Sequence, residues 1–354
     1  MKLCFIIYSL GNGGAERVLT TLANYFIDEY EISIITFNDE KSFYRLDQRI
    51  KIIPLSSNKN SNNIFDAIKN NISTIIKLIK TIKKVNSDVV ISFMTTSNIL
   101  SILACKILNK PIIISERTNY DFLSSKIWKK IRKIVYPFCN HLVVQSNYDL
   151  EKYNFVKNVS IIENPLFIKD FSEQIQRKNY FLAVGRLDRV KGFDMLIEAY
   201  SKLNTSWKLK IVGEGKERKA LQDQIERLVL IDKVELLGRK NDVEKYYYEA
   251  GIFILSSRME GYPNALVEAM ACGCPCISFD CKTGPSSIIK NNINGILIEN
   301  GNIDELSKAM NELSLNAENR QKLSLKALEI REKLNIKKIS EKWEFLFRRE
   351  NIGK

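Results

Sequence analysis

Residues 252–271 read Ile-Phe-Ile-Leu-Ser-Ser-Arg-Met-Glu-Gly-Tyr-Pro-Asn-Ala-Leu-Val-Glu-Ala-Met-Ala. The apolar run Ile252–Ser256 is bounded by turn residues and has the length of a buried strand. Gly261 and Pro263 break the chain, Asn264 is a good helix cap, and Ala265–Ala271 is a run of helix formers. Strand, loop and helix within twenty residues form half of a βαβ unit, and the same unit recurs on both sides. Toward the N-terminus, strands are expected at Phe181–Val184, Lys208–Val212 and Val234–Leu237, separated by helices at Asp194–Leu203 and Glu217–Leu228. Toward the C-terminus, Cys276–Phe279 and Gly295–Ile298 follow. Strands that alternate with helices predict a parallel, doubly wound α/β sheet.

A second series fills the first half of the chain. Leu3–Tyr8, Ile32–Phe37, Lys51–Leu55, Asp88–Phe93, Pro111–Ser115 and His141–Gln145 read as strands, and Ala15–Phe26 shows helical spacing at Val18, Leu22 and Phe26. After Asn164-Pro165 the sequence turns polar through Lys178, which reads as a linker. The expected organisation is a domain over 1–165, a linker over 166–178 and a domain over 179–336. Two Rossmann-like domains leave a crevice between them, and ligands of open α/β sheets sit at the carboxyl ends of strands.

Length and composition fit this reading: 354 residues suit two domains, with 45% hydrophobic and 27% charged residues. No stretch reaches the ~18 consecutive apolar residues of a spanning helix. Met1–Ser9 reads as a buried strand and not a signal peptide, which places the protein in the cytoplasm. Cys272, Cys274, Cys276 and Cys281 cluster, but their spacing is wrong for paired metal ligands and the chain has a single histidine, His141. They read as small buried hydrophobes, with no metal expected. The net charge is +13, and residues 1–178 hold 25 Lys and Arg against 16 Asp and Glu. A basic first half suits an anionic partner.

Three loops carry the chemistry. Gly261–Leu266 leads into a helix whose N–H groups at Asn264, Ala265 and Leu266 suit an anion, with Glu260 before it and Glu268 one turn in. Such carboxylates accept hydrogen bonds from hydroxyls, and a sugar nucleotide offers both hydroxyls and phosphate. Gly185-Arg186-Leu187-Asp188-Arg189-Val190-Lys191-Gly192 supplies Arg186 and Lys191, cations suited to a diphosphate. The chain has no Asp-x-Asp pair to hold Mg²⁺, so fixed cations would stabilise a departing diphosphate. Gly11-Asn12-Gly13-Gly14-Ala15-Glu16 allows close backbone approach through Gly13 and Gly14 but departs from G-x-G-x-x-G. That departure, with Asp28 and Glu29 placed before the second strand, argues against a dehydrogenase.

With these residues in place the chain resembles family 4 retaining glycosyltransferases of the GT-B fold, over nearly its whole length. The carriers are Gly13-Gly14-Ala15-Glu16-Arg17, Gly185-Arg186-Leu187 with Lys191-Gly192, and Glu260-Gly261-x-Pro263-Asn264 with Glu268. The resemblance implies a catalytic set of Glu260, Lys191 and Arg186. It implies diphosphate binding by Arg186, Lys191 and the Ala265 and Leu266 amides, ribose binding by Glu268, and a base site beside Gly238–Val243, including Arg239. It implies no cofactor. It also implies that residues 337–354 pack back on the first domain, with Trp343, Phe345, Leu346 and Phe347 as an aromatic face. Many members carry a sugar-contacting histidine where this chain has Ser115-Glu116-Arg117-Thr118-Asn119. Arg117, with Glu116, is the candidate contact there, and His141 reads as a core residue.

Residues 125–139 set Ile127, Ile131, Ile134 and Phe138 on one helical stripe among Lys126, Lys129, Lys130, Arg132 and Lys133. Residues 64–85 mix isoleucines with Lys69, Lys77, Lys80, Lys83 and Lys84. Such segments either face a core with solvated lysines or lie on an anionic membrane. The basic stretch is similar to that of bacterial enzymes extending oligosaccharides on undecaprenyl diphosphate. The expected function is transfer of a hexose or N-acetylhexosamine from a UDP-sugar to such a lipid, for O-antigen, lipopolysaccharide or capsule assembly, peripherally on the inner face of the cell membrane. The rivals are a nucleotide-sugar epimerase of the same fold and a non-enzymatic membrane or nucleic-acid binder. No nucleic-acid motif is present.

Overall fold

The computed structural model describes residues 1–57, 63–168 and 176–352. It divides the chain into two compact units, Met1–Pro165 with Ile336–Lys354, and Leu166–Asn335. Most of the expected linker (169–175), residues 58–62 of a stretch (57–63) composed of Asn, Ser and Lys, and residues 353–354 lie outside the described residues.

The first unit holds seven strands: β1 Lys2–Ile7, β2 Glu31–Thr36, β3 Lys51–Pro54, β4 Val89–Phe93, β5 Ile112–Ser115, β6 His141–Val144 and β7 Val159–Ile161. They pair in the order β3-β2-β1-β4-β5-β6-β7, all parallel. β1, β4, β5 and β6 are apolar and buried along nearly their whole length, as strands covered on both faces must be. β7 was not legible in the sequence, because a half-buried run of three residues, Val-Ser-Ile, is too short for its alternation to register as a pattern. The order reverses between β1 and β4, a topological switch point, and the Gly11–Gly14 loop leaves β1 there.

Helix Ile336–Ile352 packs on this sheet and on helix Gly14–Phe26. Trp343 stacks on Phe93 at 5.9 Å and Phe347 meets Phe26 edge-on at 5.1 Å. Each fully buried aromatic of this kind contributes about 2–3 kcal/mol. Phe345 departs from the expected aromatic face: it is 65% exposed. It lies two residues from both Trp343 and Phe347, a spacing that puts a helical residue on another side.

The second unit holds β8 Lys178–Val184, β9 Lys208–Val212, β10 Val234–Leu236, β11 Ala250–Leu255, β12 Cys276–Asp280 and β13 Ile296–Glu299. Their order is β10-β9-β8-β11-β12-β13, again all parallel. The switch point lies between β8 and β11, so the loops leaving those two strands lie side by side. Cys272, Cys274, Cys276 and Cys281 are buried, and burial pushes Cys274 up to about 11 and Cys281 to about 12. Among the described residues no Cys/His/Asp/Glu group is arranged to hold a metal ion, and no helix is long and apolar enough to cross a membrane.

Candidate active site

The loops leaving β8 and β11 bring Lys191 and Glu260 together. Lys191 Nζ donates to Glu260 Oε1 at 2.6 Å, and Ser257 Oγ donates to the same oxygen at 2.6 Å. Glu260 is 7% exposed in its side chain and Lys191 26%. The Thr283 hydroxyl, from the loop after β12, donates to the Glu260 carbonyl. A carboxylate so shielded interacts more strongly with its cation than a surface pair would, and three elements fix its position. The Lys191 stem is packed against Gly185: a Cβ there would lie 3.4 Å from its Cδ and Cε. The loop after β9 closes the floor. Gly213 takes φ +147°, and a Cβ on it would come within 1.8 Å of the Gly185 carbonyl oxygen, so glycine is required.

The other expected residues fall into two groups. Glu268 is on the helix after this loop, Asn264–Ala271, and accepts from Tyr247 Oη at 3.1 Å. Arg186 is not brought to the Lys191–Glu260 pair. Its side chain is 75% exposed and its Nε bonds Asp188 two residues on. Arg239 is exposed in the loop after β10, where Gly213 N–H bonds the Gly238 carbonyl at 2.9 Å. Asn264 is not the helix cap. Pro263 takes that position with no side-chain bond, and Asn264 opens the first turn. Leu266 N–H donates to the Pro263 carbonyl at 3.0 Å within that turn.

In the first unit, Gly13 is the N-cap of helix Gly14–Phe26 and has no side-chain cap bond. The Glu16 carboxylate folds back so closely that a Cβ on Gly13 would lie 2.2 Å from it. Glu116 is buried and accepts from Thr95 Oγ1 at 3.0 Å, from Asn98 Nδ2 at 3.3 Å and from the Tyr136 hydroxyl. Burial raises its pKa, against the lowering pull of the Tyr136 bond and the Arg132 charge. Arg117 is buried too. Its Nη1 donates to Asn164 Oδ1 at 2.8 Å, and its guanidinium lies 5.5 Å from the Phe93 ring and 5.4 Å from Trp343. His141 is a core residue of β6, 4% exposed, with Nε2 at 2.9 Å from Ser160 Oγ.

Ser257, Tyr247 and Thr283 were missed in the sequence. Ser257 was within reach, three residues before Glu260. Thr283 acts across 23 residues, and Tyr247 is one of three consecutive tyrosines with nothing local to single it out.

The chain matches known proteins over its whole length. Residues 12–166 fit the profile described as Glycosyltransferase Family 4, and residues 167–329 that of Glycosyl transferases group 1. A Campylobacter jejuni protein is 37% identical across 97% of both chains. It is named GalNAc-alpha-(1->4)-GalNAc-alpha-(1->3)-diNAcBac-PP-undecaprenol alpha-1,4-N-acetyl-D-galactosaminyltransferase. A second C. jejuni protein, named N-acetylgalactosamine-N,N'-diacetylbacillosaminyl-diphospho-undecaprenol 4-alpha-N-acetylgalactosaminyltransferase, is 31% identical over 87% of this chain and 89% of its own. Among solved structures, Anabaena HepE with UDP and glucose superposes with TM-score 0.81 at 18% identity, covering 98% of this chain and 99% of its own. Two parallel Rossmann-like sheets with these neighbours make the fold GT-B, and the chain belongs to the family 4 (group 1) glycosyltransferases.

Proposed function

We propose that the chain is a retaining hexosyltransferase that moves a hexose or N-acetylhexosamine from a UDP-sugar to an oligosaccharide on undecaprenyl diphosphate. The observation that carries this is the Lys191–Glu260 pair at the β8/β11 switch point. An ammonium has three donors and Glu260 takes one, so the others can reach a donor diphosphate. Glu260 is held through Oε1, which leaves Oε2 to accept from hydroxyls of the transferred sugar. Arg186 is exposed, and closing on a nucleotide would require it to leave Asp188. Glu268 reads the ribose, Arg239 stands beside the base, and the helix tip offers the Ala265 N–H to phosphate, while the Asn264 and Leu266 N–H groups expected to join it bond the Tyr262 and Pro263 carbonyls instead. Within the first unit, Gly13 and Gly14 end the loop leaving β1 at that unit's own switch point, where a glycine backbone suits close approach by a ligand.

In the reaction, the bond from the sugar's anomeric carbon to the diphosphate breaks and the pair stays on the departing UDP oxygen. That oxygen takes the acceptor hydroxyl's proton as the new glycosidic bond forms on the same face. The first unit is the acceptor domain in this reading, the second the nucleotide-sugar domain, and the enzyme is peripheral on the inner membrane face. Two helices support that position. Helix Ile64–Val85 exposes Phe65, Ile68, Ile72 and Ile76 on one side, with Lys69, Lys80 and Lys83 on the same side. Helix Lys126–Val135 and the turn after it expose Ile127, Ile134 and Phe138 among lysines. The names of the two C. jejuni relatives support this acceptor class and make N-acetylgalactosamine the first donor sugar to test.

The test is incubation with labelled UDP-sugars and bacterial lipid extract, with and without EDTA. Label should pass into the lipid phase to the same extent in both. An epimer or free sugar formed without acceptor would move the assignment to an epimerase, and loss of transfer with EDTA would overturn metal independence.

A further inference from the structure

The loop that carries Lys191 is gripped along its backbone by the loop that carries Glu260. Three successive carbonyls of Arg189–Lys191 are engaged. Arg258 Nη1 donates to Arg189 O at 2.8 Å, Arg258 N–H to Val190 O at 2.8 Å and Ser256 Oγ to Lys191 O at 3.0 Å. Beyond the turn, Arg258 grasps Asp194 in the first turn of helix Phe193–Ser201, with Nη1 to Oδ1 at 2.7 Å and Nη2 to Oδ2 at 2.5 Å. Gly192 joins the two and takes φ +64°, and a Cβ there would come within 2.0 Å of the Ser256 carbonyl oxygen. One guanidinium thus holds the loop on both sides of Lys191 by a bidentate fork that lysine cannot reproduce. Burial alone would raise the Asp194 carboxyl, but the Arg258 bonds and charge outweigh it and hold the pKa below its ordinary value.

We propose that Arg258, through Asp194 and the Arg189–Lys191 carbonyls, is a positioning residue for the donor diphosphate: it sets Lys191 Nζ in register with Glu260. Arg258 touches no substrate in this account. Its effect runs through Lys191 and therefore rests on the reading of Lys191 given above. The signature of that dependence is coupling. A residue acting only through Lys191 has nothing left to position once Lys191 is gone, whereas a residue that merely stabilises the unit acts independently.

The experiment is a double-mutant cycle on the full-length protein, with UDP affinity measured by calorimetry and folding checked by thermal melting. Arg258→Ala and Lys191→Ala should each weaken UDP by about tenfold or more, the size expected for a misplaced or lost charged hydrogen bond. The double variant should bind no more than about twofold weaker than Lys191→Ala alone, and Arg258→Lys should fall between wild type and Arg258→Ala. Asp194→Asn keeps the side-chain shape and should reproduce the Arg258→Ala loss should that variant fold poorly. Multiplied losses in the double variant, or wild-type UDP affinity in Arg258→Ala or Asp194→Asn, would overturn the positioning role alone. Wild-type affinity in Lys191→Ala would overturn the reading of Lys191 and the positioning role with it.

Discussion

Lys191 and Glu260 were legible as single letters because cations and carboxylates at strand ends are informative without knowledge of the fold. What the sequence did not carry is their partnership, which depends on β8 and β11 being neighbours although about seventy residues of chain separate the two side chains. The same applies to Thr283, whose hydroxyl reaches the Glu260 carbonyl from another strand's end. Arg117 shows the reverse: a charged residue after a strand read as a ligand contact, yet its guanidinium lies close to the Phe93 and Trp343 rings and bonds Asn164. Trp343 comes from a helix more than two hundred residues away, so no local pattern could announce it. At this scale the pair makes a sharp kinetic prediction. In the proposed reaction Lys191→Ala removes the cation assigned to the leaving diphosphate and should lower kcat by ~10²-fold, about 3 kcal/mol of transition-state stabilisation. Glu260→Gln keeps the volume but trades the carboxylate for a neutral amide beside the Lys191 ammonium, and should also slow turnover. Steady-state rates at saturating donor read both, and near-normal kcat in Lys191→Ala would remove the lysine from the chemistry.

Among the elements, strand–helix alternation was readable because parallel strands covered on both faces are continuous apolar runs, as in β1, β4, β6 and β11. The faces of helices were less readable. In helix Lys126–Val135 the spacing gave a stripe of isoleucines with cations around it, but two of its isoleucines face outward, and one of the cations faces in. Arg132 is 1% exposed: its guanidinium lies 3.9 Å from the Tyr120 ring centroid and donates to the Tyr120 carbonyl and the Tyr153 hydroxyl, both at 3.1 Å. Periodicity finds a stripe; only packing shows which side has aromatic partners. Arg132→Ala should strand those partners and leave a gap, costing about 3 kcal/mol of stability. Thermal or urea melts would read it, and a loss under about 0.5 kcal/mol, typical of surface sites, would mean that the buried guanidinium is not what anchors the helix.

For the whole molecule the issue is what a +13 protein with two outward apolar helix faces does at a surface. Phe65, Ile68, Ile72 and Ile76 lie on one side of helix Ile64–Val85, while Leu78 and Ile82 fix its other side in the core. The helix is therefore amphipathic twice over, and its outer face costs solvation unless something covers it. In the proposed peripheral position a bilayer with anionic headgroups would satisfy both components: the side chains would enter the interface, and each nearby lysine would add about 1 kcal/mol. The two contributions separate by ionic strength, because the Debye length shrinks from ~10 Å at 0.1 M to ~3 Å at 1 M while apolar insertion persists. Binding to vesicles containing phosphatidylglycerol should exceed binding to phosphatidylcholine vesicles and should fall steeply with salt. Replacing Phe65, Ile72 and Ile76 together by serine removes most of this face's apolar component, leaving Ile68, without touching the core. That variant should lose most vesicle binding and most transfer to a lipid-borne acceptor, with UDP affinity and melting temperature unchanged. Vesicle binding equal to wild type in the triple variant would leave the lysines sufficient by themselves and dismiss this helix face as a membrane contact.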